Sequence, residues 1–268
     1  MTTARRSARA PWRTSLAAAA RRREIVTLLA VLVLSGIVWG FAELADEVVE
    51  GDTHGADEAI LLALRTPGDR SDPLGPGWVE ELGRDFTALG GVGILVSMSL
   101  AVVGYLLIER KRHAALLVVV AVAGGLLIST LLKVGFDRPR PDLVPHGAIV
   151  YTASFPSGHS MLSAVVYLTL GALLARVHAG LALKAYFLLV AAILTLLVGV
   201  SRVYLGVHWP TDVLAGWAGG AAWAILCWTV ALQLQRRGQV EEDTEPDASD
   251  AQEDAAQEHA AAEAPPRA

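Results

Sequence analysis

Long uncharged stretches of apolar residues alternate with short polar segments along most of the chain. Most of these stretches approach the length that an α-helix, rising about 1.5 Å per residue, needs to cross a bilayer. Lipid cannot satisfy open backbone groups, and the stretches lack the alternation of barrel strands, so the pattern predicts helices. We therefore predict an all-α fold, a bundle of six transmembrane helices at residues 25–42, 89–108, 114–132, 160–175, 185–200 and 213–234.

Basic residues are concentrated on one side of these predicted spans. The arm before the first span, the loop 109–113, the segment 176–184 and the exit at 236–237 all carry Arg or Lys. Because cytoplasmic loops are enriched in these residues, we predict a multi-pass protein of the plasma (inner) membrane with both termini cytoplasmic. The loops 43–88, 133–156 and 201–212 are then outside. The last two still carry Lys and Arg, which requires a reason other than topology.

The same pattern divides the chain into three regions. Residues 1–24 contain many Arg residues without apolar periodicity and are predicted to form a disordered basic cytoplasmic arm. Residues 25–235 form the predicted membrane-embedded domain, although the first span also has the features of a cleaved signal peptide core. Residues 236–268 are rich in Ala, Glu, Asp and Pro, which predicts a disordered acidic cytoplasmic tail.

The segment 43–88, between the first two predicted spans, is the longest outer loop. Residues 43–64 mix acidic and apolar side chains, which predicts an amphipathic helical segment at the membrane interface. Residues 66–77 are rich in Pro, Gly and Asp and predict a turn, and residues 78–88 predict a second short interfacial helix. Two roles are open for this segment: a lid that only packs on the bundle, or a surface that admits a lipid laterally.

Composition supports a membrane protein. Of the 268 residues, 53% are hydrophobic, and the mean hydropathy of +0.45 is unusual for a soluble domain. The net charge of −5 comes from the acidic tail, because residues 1–240 hold 17 acidic and 21 basic residues. The single cysteine, Cys227, lies in an apolar stretch and excludes both a disulfide framework and a thiolate metal cluster.

Three polar segments on the predicted outer side concentrate the ionisable residues. They follow the third predicted span, precede the fourth, and join the fifth to the sixth. Ionisable groups at the edge of a membrane domain are a functional-site hypothesis in themselves. The residues concerned are Lys133, Arg140, Pro141, Pro156, Ser157, Gly158, His159, Ser201, Arg202, His208 and Asp212.

Written as patterns, the segments are K-x6-R-P, P-S-G-H and S-R-x5-H-x3-D. Their order and spacing resemble the three-part signature of the type 2 phosphatidic acid phosphatase superfamily, and the six-span frame resembles its membrane branch. The resemblance implies a phosphatase that acts on a lipid phosphomonoester or pyrophosphate through a phosphohistidine intermediate. It suggests phosphatidic acid, phosphatidylglycerophosphate or undecaprenyl pyrophosphate as the substrate.

The spacing of the catalytic candidates suits phosphoryl transfer. Asp212 follows His208 by four residues, which lets its carboxylate bind one ring nitrogen and leave the other free to attack phosphorus. His159 follows Gly158 at a predicted helix start, where it would protonate the leaving alcohol and then activate water. We therefore expect His208 as nucleophile, His159 as acid and base, and Asp212 as the group that fixes the tautomer.

Phosphate binding is expected from the remaining motif residues. Lys133, Arg140 and Arg202 would neutralise the phosphate, and Ser157 and the Gly158 N–H would donate to its oxygens. Arg138 lies beside the motif but outside the family pattern, and two roles are open for it: a secondary phosphate or headgroup contact, or none.

The outer loops show no paired carboxylates and no His-rich cluster, so we expect neither a metal nor another cofactor. The expected partners are a phosphorylated membrane lipid and the bilayer, without nucleic acid, and the sequence does not indicate an oligomeric state.

One alternative is a lipid phosphotransferase with an acceptor other than water. Another is a non-enzymatic lipid transporter, which would leave His208 and Asp212 unexplained. Six apolar spans argue against the soluble vanadium haloperoxidases that share the signature.

Overall fold

The computed structural model describes the backbone of residues 11–144 and 152–236. This part of the chain is helical apart from one antiparallel two-stranded hairpin, which confirms the predicted fold class. The chain divides at Leu232, in the last turns of its final helix, and Met1–Ala231 holds the other elements. In order, the elements are α1 (Pro11–Glu50), α2 (His54–Ala63), β1 (Arg65–Thr66), β2 (Asp69–Pro73), α3 (Gly77–Leu89), α4 (Val92–Ile108), α5 (Arg112–Phe136), α6 (Gly158–Val177), α7 (Leu181–Tyr204) and α8 (Pro210–Arg236).

Five of the described helices are long and apolar enough to cross a bilayer. They are α5, α6, α7, α8 and the part of α1 from Glu24 to Glu50. Helix α4 has only 17 residues, but α3 and α4 together meet the same standard as a pair bent by 48°. The bend lies at Gly90 and Gly91, between the two helices. The described chain therefore has five spans, or six when the bent pair is one span, in agreement with the prediction.

Helix α1 starts earlier and ends later than the sequence predicts. It begins at Pro11, whereas a disordered arm was expected through residue 24; residues 1–10 lie outside the described part. Helix propensity explains the earlier start, because the Ala residues at 17–20 and the Arg residues at 21–23 are strong helix formers. The helix also continues to Glu50, so the first part of the predicted amphipathic segment extends the span. The predicted tail beyond Arg236 lies outside the described residues.

Residues 54–89 form an insert that packs against the end of α7. It consists of α2, the β1–β2 hairpin in place of the predicted turn, and α3. Arg65 Nη1 donates to the Tyr204 carbonyl at 3.0 Å, and the Tyr204 hydroxyl donates to the Leu74 carbonyl at 3.1 Å. Packing on the bundle, the first of the two predicted roles, is therefore present, and lateral admission of a lipid stays a prediction.

Helix α8 approaches α6 closely enough for backbone contact. A Cβ atom added to Gly216 would lie 2.7 Å from the Ser157 carbonyl oxygen, and one added to Gly220 would lie 2.4 Å from the Met161 carbonyl oxygen. Small residues four apart allow helices inside a membrane to pack in this way. The contact fixes the first turn of α6 against α8, and each of these helices begins at one of the predicted motifs.

Candidate active site

The three polar segments singled out in the sequence meet at one end of α5 to α8. Lys133 lies in the last turn of α5 and Arg202 in the last turn of α7, whereas His159 lies in the first turn of α6. His208 lies in the connection between α7 and α8, and Asp212 in the first turn of α8. Because successive spans run in opposite directions, these two helix ends and two helix starts share one side of the bundle.

His208 and Asp212 form a buried hydrogen-bonded pair. Pro210 opens α8, which its fixed φ favours, and this places the Asp212 carboxylate 3.3 Å from His208 Nδ1. The same Asp212 oxygen, Oδ2, accepts the Trp209 N–H at 3.0 Å and the Ser154 hydroxyl. The exposed fractions of His208 and Asp212 are only 1% and 0%. The carboxylate thus contacts one ring nitrogen, as the four-residue spacing predicts.

Arg140 and Asp212 together determine which nitrogen of His208 carries the proton. Arg140 Nη1 lies 3.0 Å from His208 Nε2, and a guanidinium only donates, so Nε2 accepts and the proton is on Nδ1, facing Asp212. Burial lowers the pKa of His208 to about 3; Asp212 opposes this shift, and the charges of Arg140 and Arg202 add to it. The ring is therefore neutral at pH 7, with the lone pair of Nε2 directed toward the cations.

Lys133 and Arg140 are held in place by backbone carbonyls. Lys133 Nζ donates to the Ala153 carbonyl at 2.6 Å, and Arg140 donates to the carbonyls of Thr152 and Val207, both at 2.9 Å. Neither cation forms an ion pair with a carboxylate in the described part of the chain. Burial lowers the pKa of Arg140, and Asp212 counters the shift. The two side chains therefore bring positive charge that an anion would balance.

Arg202 has a buried hydrogen-bond donor, Nε, that finds no partner among the described residues. Its side chain is buried, and Nη1 donates to Thr87 Oγ1 of α3 at 2.8 Å, but Nε is buried and has no hydrogen-bond partner. The Arg202 carbonyl accepts the N–H groups of Val207 and His208, at 3.0 and 3.3 Å, which ties it to the candidate nucleophile. An unsatisfied buried guanidinium donor requires an acceptor to complete it.

The start of α6 lies beside Lys133. Ser157 is the N-cap residue, and its Oγ accepts from the Ser160 N–H at 3.4 Å and the Ser160 hydroxyl at 2.9 Å. A Cβ atom on Gly158 would lie 3.4 Å from Lys133 Cε, so the helix N-terminus and the ammonium group are neighbours. Exposed N–H groups at a helix start favour an anion, and they lie where the sequence places the phosphate.

His159 is half-buried next to Ser157 and Gly158 and packs on the bend between α3 and α4. A Cβ atom on Gly90 would lie 3.3 Å from His159 Cβ and Cδ2 and only 2.3 Å from Val198 Cγ1. His159 also lies in the field of the three cations at Lys133, Arg140 and Arg202. The predicted acid and base therefore borders the same positively charged region as His208.

Arg138 has a partner that the sequence did not indicate. Its Nη1 donates to Asp212 Oδ1 at 2.7 Å, and its Nη2 donates to Asp57 Oδ2 at 2.8 Å. Arg138 thus bridges two carboxylates, and its guanidinium is already committed to them. Asp57 and Ser154 were missed because their contacts are between distant residues: Asp57 precedes its partner Thr211 by 154 positions.

Over the ranges 11–144 and 152–236, no group of three or more His, Cys, Asp or Glu side chains is arranged to hold a metal ion. Positive charge at the site is supplied by Lys133, Arg140 and Arg202. Independence from metals stays a prediction.

Comparison with known proteins places this geometry in a family. The model of the PAP2 superfamily matches residues 114–236. Phosphatidylglycerophosphatase B of Bacillus subtilis (strain 168) is 33% identical over 186 residues, which cover 67% of this chain and 85% of that protein. A lipid A 1-phosphatase of Rhizobium etli is 29% identical over 174 residues, covering 56% of this chain and 71% of the relative.

A solved structure agrees with these sequence matches. The crystal structure of a transmembrane PAP2 type phosphatidylglycerolphosphate phosphatase from Bacillus subtilis superimposes with a TM-score of 0.66 at 29% identity. The match covers 76% of this chain and 98% of that one. The resemblance inferred from the three motifs is confirmed, and the chain belongs to the PAP2 superfamily, as one of its multi-pass membrane phosphatases.

Proposed function

We propose that the chain hydrolyses the phosphomonoester or pyrophosphate of a membrane lipid, with His208 Nε2 as the nucleophile. The observation that carries this proposal is the state of the His208 ring. Its Nδ1 proton faces Asp212, and its neutral Nε2 faces Arg140 in a region of three cations. Such a ring has a defined tautomer and an available lone pair, which a phosphoryl acceptor needs.

In the first step, Nε2 attacks phosphorus and forms the N–P bond while the bond from phosphorus to the leaving oxygen breaks. Once the anionic phosphate offsets the charges of the three cations, the His159 ring takes up a proton from solvent. His159 then donates this proton to the leaving oxygen, so that the lipid leaves as an alcohol or as a lipid monophosphate. The ring of His208 becomes positively charged, and Asp212 stabilises it through Nδ1. Arg140 moves its hydrogen bond from Nε2 to a phosphate oxygen as the nucleophile is used.

In the second step, water attacks the phosphohistidine. The ring of His159, now neutral, takes a proton from the water as its oxygen bonds to phosphorus, and the electron pair of the N–P bond returns to Nε2. Inorganic phosphate is released, and His159 is again protonated for the next turnover. Both chemical steps therefore use the same two histidines, one on each side of phosphorus.

Phosphate binding is assigned to the cations and to the start of α6. The unpartnered Nε of Arg202 needs an acceptor, and a phosphate oxygen supplies one. The hydroxyl proton of Ser157 is free to be donated, because Oγ only accepts in its bonds to Ser160. The Gly158 N–H lies at the helix N-terminus, where the dipole favours an anion.

The active site is proposed to face away from the cytoplasm, because the order of the spans predicts that the four clusters of basic residues outside the site lie on the opposite side, and such clusters are typical of cytoplasmic loops. In a Cys227→Ala background, a membrane-impermeant maleimide should label Ser71→Cys in intact cells. Lys111→Cys in the 109–113 loop should be labelled only after permeabilisation. Labelling of Lys111→Cys in intact cells, with Ser71→Cys labelled only after permeabilisation, would place the site on the cytoplasmic side.

The substrate is proposed to be a phosphorylated lipid, with phosphatidic acid, phosphatidylglycerophosphate and undecaprenyl pyrophosphate as candidates. Two relatives support the class, since one is named for phosphatidylglycerophosphate and the other for the 1-phosphate of lipid A. Transfer to an acceptor other than water would share the first step and differ in the second. A transporter would need no phosphohistidine at all.

The test is phosphate release by purified protein from the three candidate lipids in parallel, with a trap for the intermediate. Rapid base quench should capture acid-labile phosphate on wild-type protein, and His208→Ala should lose both trapping and turnover by at least about 10³-fold. His178→Ala, at the opposite end of α6, is the matched control and should behave as wild type. Equal phosphate release by His208→Ala and wild type would overturn the nucleophile assignment.

A further inference from the structure

Asp57 lies on α2, outside the three motifs, and yet it caps the helix that carries Asp212. It is almost fully buried, with 1% of its surface exposed. Its Oδ1 accepts the Thr211 N–H at 3.0 Å, and its Oδ2 accepts the Thr211 hydroxyl at 2.6 Å. Because Pro210 has no N–H, Thr211 provides the first free donor of α8. A carboxylate from another helix thus takes the position of an N-cap group.

Asp57 is also joined to Asp212 through Arg138. The guanidinium donates one hydrogen bond to each carboxylate, at 2.8 Å to Asp57 and 2.7 Å to Asp212, and a third to Thr211 Oγ1 at 2.8 Å. Asp212 Oδ1 is occupied by Arg138, whereas Oδ2 faces His208. Contacts on both oxygens prevent the carboxylate from rotating away from the ring.

The charges of this chain of contacts alternate. Asp57 is negative, Arg138 positive and Asp212 negative, and all three side chains are largely withdrawn from water, with 1%, 11% and 0% of their surfaces exposed. Without the charge of Asp57, Arg138 would be balanced by Asp212 alone. A buried cation with one partner draws that partner more strongly, which would weaken the hold of Asp212 on the positive ring formed during catalysis.

We propose that Asp57 is a positioning residue for the Asp212–His208 pair, acting through Arg138 and the first turn of α8. This inference rests on the proposed function. It gives α2 a role in catalysis. Asp57 holds Asp212 in position, and Asp212 in turn orients the ring of His208. Asp57 touches neither His208 nor the phosphate, so its effect should be on the rate of the chemical step.

The test separates the rate of reaction from the number of molecules that react. Wild-type and Asp57→Asn protein are mixed rapidly with excess dioctanoyl phosphatidic acid in detergent, and phosphoenzyme is quenched in base over time. The amplitude counts correctly folded sites, and the rate constant reports the chemistry at those sites. Asp52→Asn, an exposed acid just before α2, is the matched control and should leave both unchanged.

We expect Asp57→Asn to lower the rate constant about tenfold or more among the molecules that react, since the amide keeps an acceptor for Thr211 but loses the charge opposite Arg138. A rate constant within threefold of wild type, whatever the amplitude, would show a purely structural role and overturn the proposal. If Asp57→Asn yields no reactive protein, Thr211→Val is measured by the same criterion, because it removes the hydroxyl shared by Asp57 and Arg138.

Failure of the proposed function would look different. Wild-type protein that forms no phosphoenzyme, or His208→Ala that forms as much as wild type, would remove the reaction itself. If phosphoenzyme formation requires His208 but proceeds at the wild-type rate in Asp57→Asn, the proposed reaction is supported and only the positioning role of Asp57 is overturned.

Discussion

Arg202 at the end of α7 is anchored by Thr87 on α3, through a hydrogen bond of 2.8 Å from Nη1 to Oγ1. This bond fixes the orientation of the guanidinium group, and with it the direction of the Nε–H bond, which has no hydrogen-bond partner among the described residues. The insert that contains α3 therefore also takes part in arranging the proposed phosphate site. A lysine at position 202 would keep the charge but lose both the planar fork and the Nε donor.

We predict that Arg202→Lys weakens inhibition by vanadate, a phosphate analogue, by about 10- to 100-fold, the usual effect of losing a charge-assisted hydrogen bond. The measurement is the vanadate concentration that halves phosphate release. Arg84→Lys, an exposed arginine on α3 paired with Glu80, serves as control and should show wild-type inhibition. Unchanged inhibition of Arg202→Lys would exclude a phosphate contact by this residue.

Asp212→Asn should slow phosphoenzyme formation by roughly 10²- to 10⁴-fold, as loss of a tautomer-fixing carboxylate does in other histidine-dependent enzymes. The physical reason is that the amide can donate to Nδ1, which moves the ring proton to Nε2 and occupies the attacking lone pair. Rapid-quench kinetics measures the rate constant. A rate within threefold of wild type would mean that the 3.3 Å contact does not set the tautomer.

Gly90→Ala should reduce turnover about tenfold, because the new Cβ would lie 2.3 Å from Val198 Cγ1 and 3.3 Å from the His159 side chain. The double variant Gly90→Ala with Val198→Ala removes the closer clash and should recover most of the activity. Gly93→Ala, three residues further along, has no neighbour within 4 Å and should be neutral. Equal effects at positions 90 and 93 would contradict the role given to the bend.

The low pKa of His208 makes the folded protein sensitive to mild acid. The folded state holds the ring neutral down to about pH 3, whereas in the unfolded chain the ring takes up a proton near pH 6.5. The unfolded state therefore binds the extra proton between these values, and stability falls as the pH is lowered. From pH 6.5 to pH 5 this amounts to about 2 kcal/mol.

Thermal unfolding in detergent at pH 7 and pH 5 measures this effect. His208→Gln cannot take up the proton, so its unfolding midpoint should fall less between the two pH values than that of wild type. His178→Gln, outside the site, provides the reference for a general histidine effect. Parallel decreases for wild type and His208→Gln would contradict the inferred neutral state.

Exhaustive chelation of divalent metals should leave phosphate release unchanged, since Lys133, Arg140 and Arg202 supply the positive charge that a metal would otherwise bring. Activity is measured after treatment with chelator and again after addition of magnesium. Loss of turnover that magnesium restores would overturn this account of charge neutralisation.

The sequence was sufficient for the parts of the site that are local. Asp212 follows His208 by one helical turn, and Pro210 marks the start of α8, so this contact could be deduced from spacing and confirmed. Hydrophobic length also predicted the spans, because each must cross the same thickness of lipid. The segments with Lys133 and Arg202 could be assigned to one side from the alternation of the spans.

The features that the sequence did not predict are of two kinds. Some depend on contacts between residues far apart in the chain, and others lie in segments whose residues are compatible with more than one local structure. Asp57 is one acidic residue among many in its segment, and only folding brings it to Thr211 and Arg138. The extension of α1 to Glu50 was missed because its charged last turns read as a separate interfacial segment, although the same residues are compatible with one continuous helix. The break at Gly90 and Gly91 agrees with the predicted boundary between helix 78–88 and span 89–108, but the sequence did not indicate that Gly90 lies against His159 and Val198.

The backbone contact of α8 with α6 at Gly216 and Gly220 has a consequence for how this enzyme can diversify. Because His159 lies in the first turn of α6 and Asp212 in the first turn of α8, the contact between these helices also sets the spacing between His159 and His208, the two histidines proposed as acid and nucleophile. A bulkier side chain at either glycine would force the helices apart and increase the distance between His159 and His208. A change of lipid preference should therefore come from elements around α6 and α8, such as the α2–α3 insert, and should leave the spacing of the two histidines unchanged.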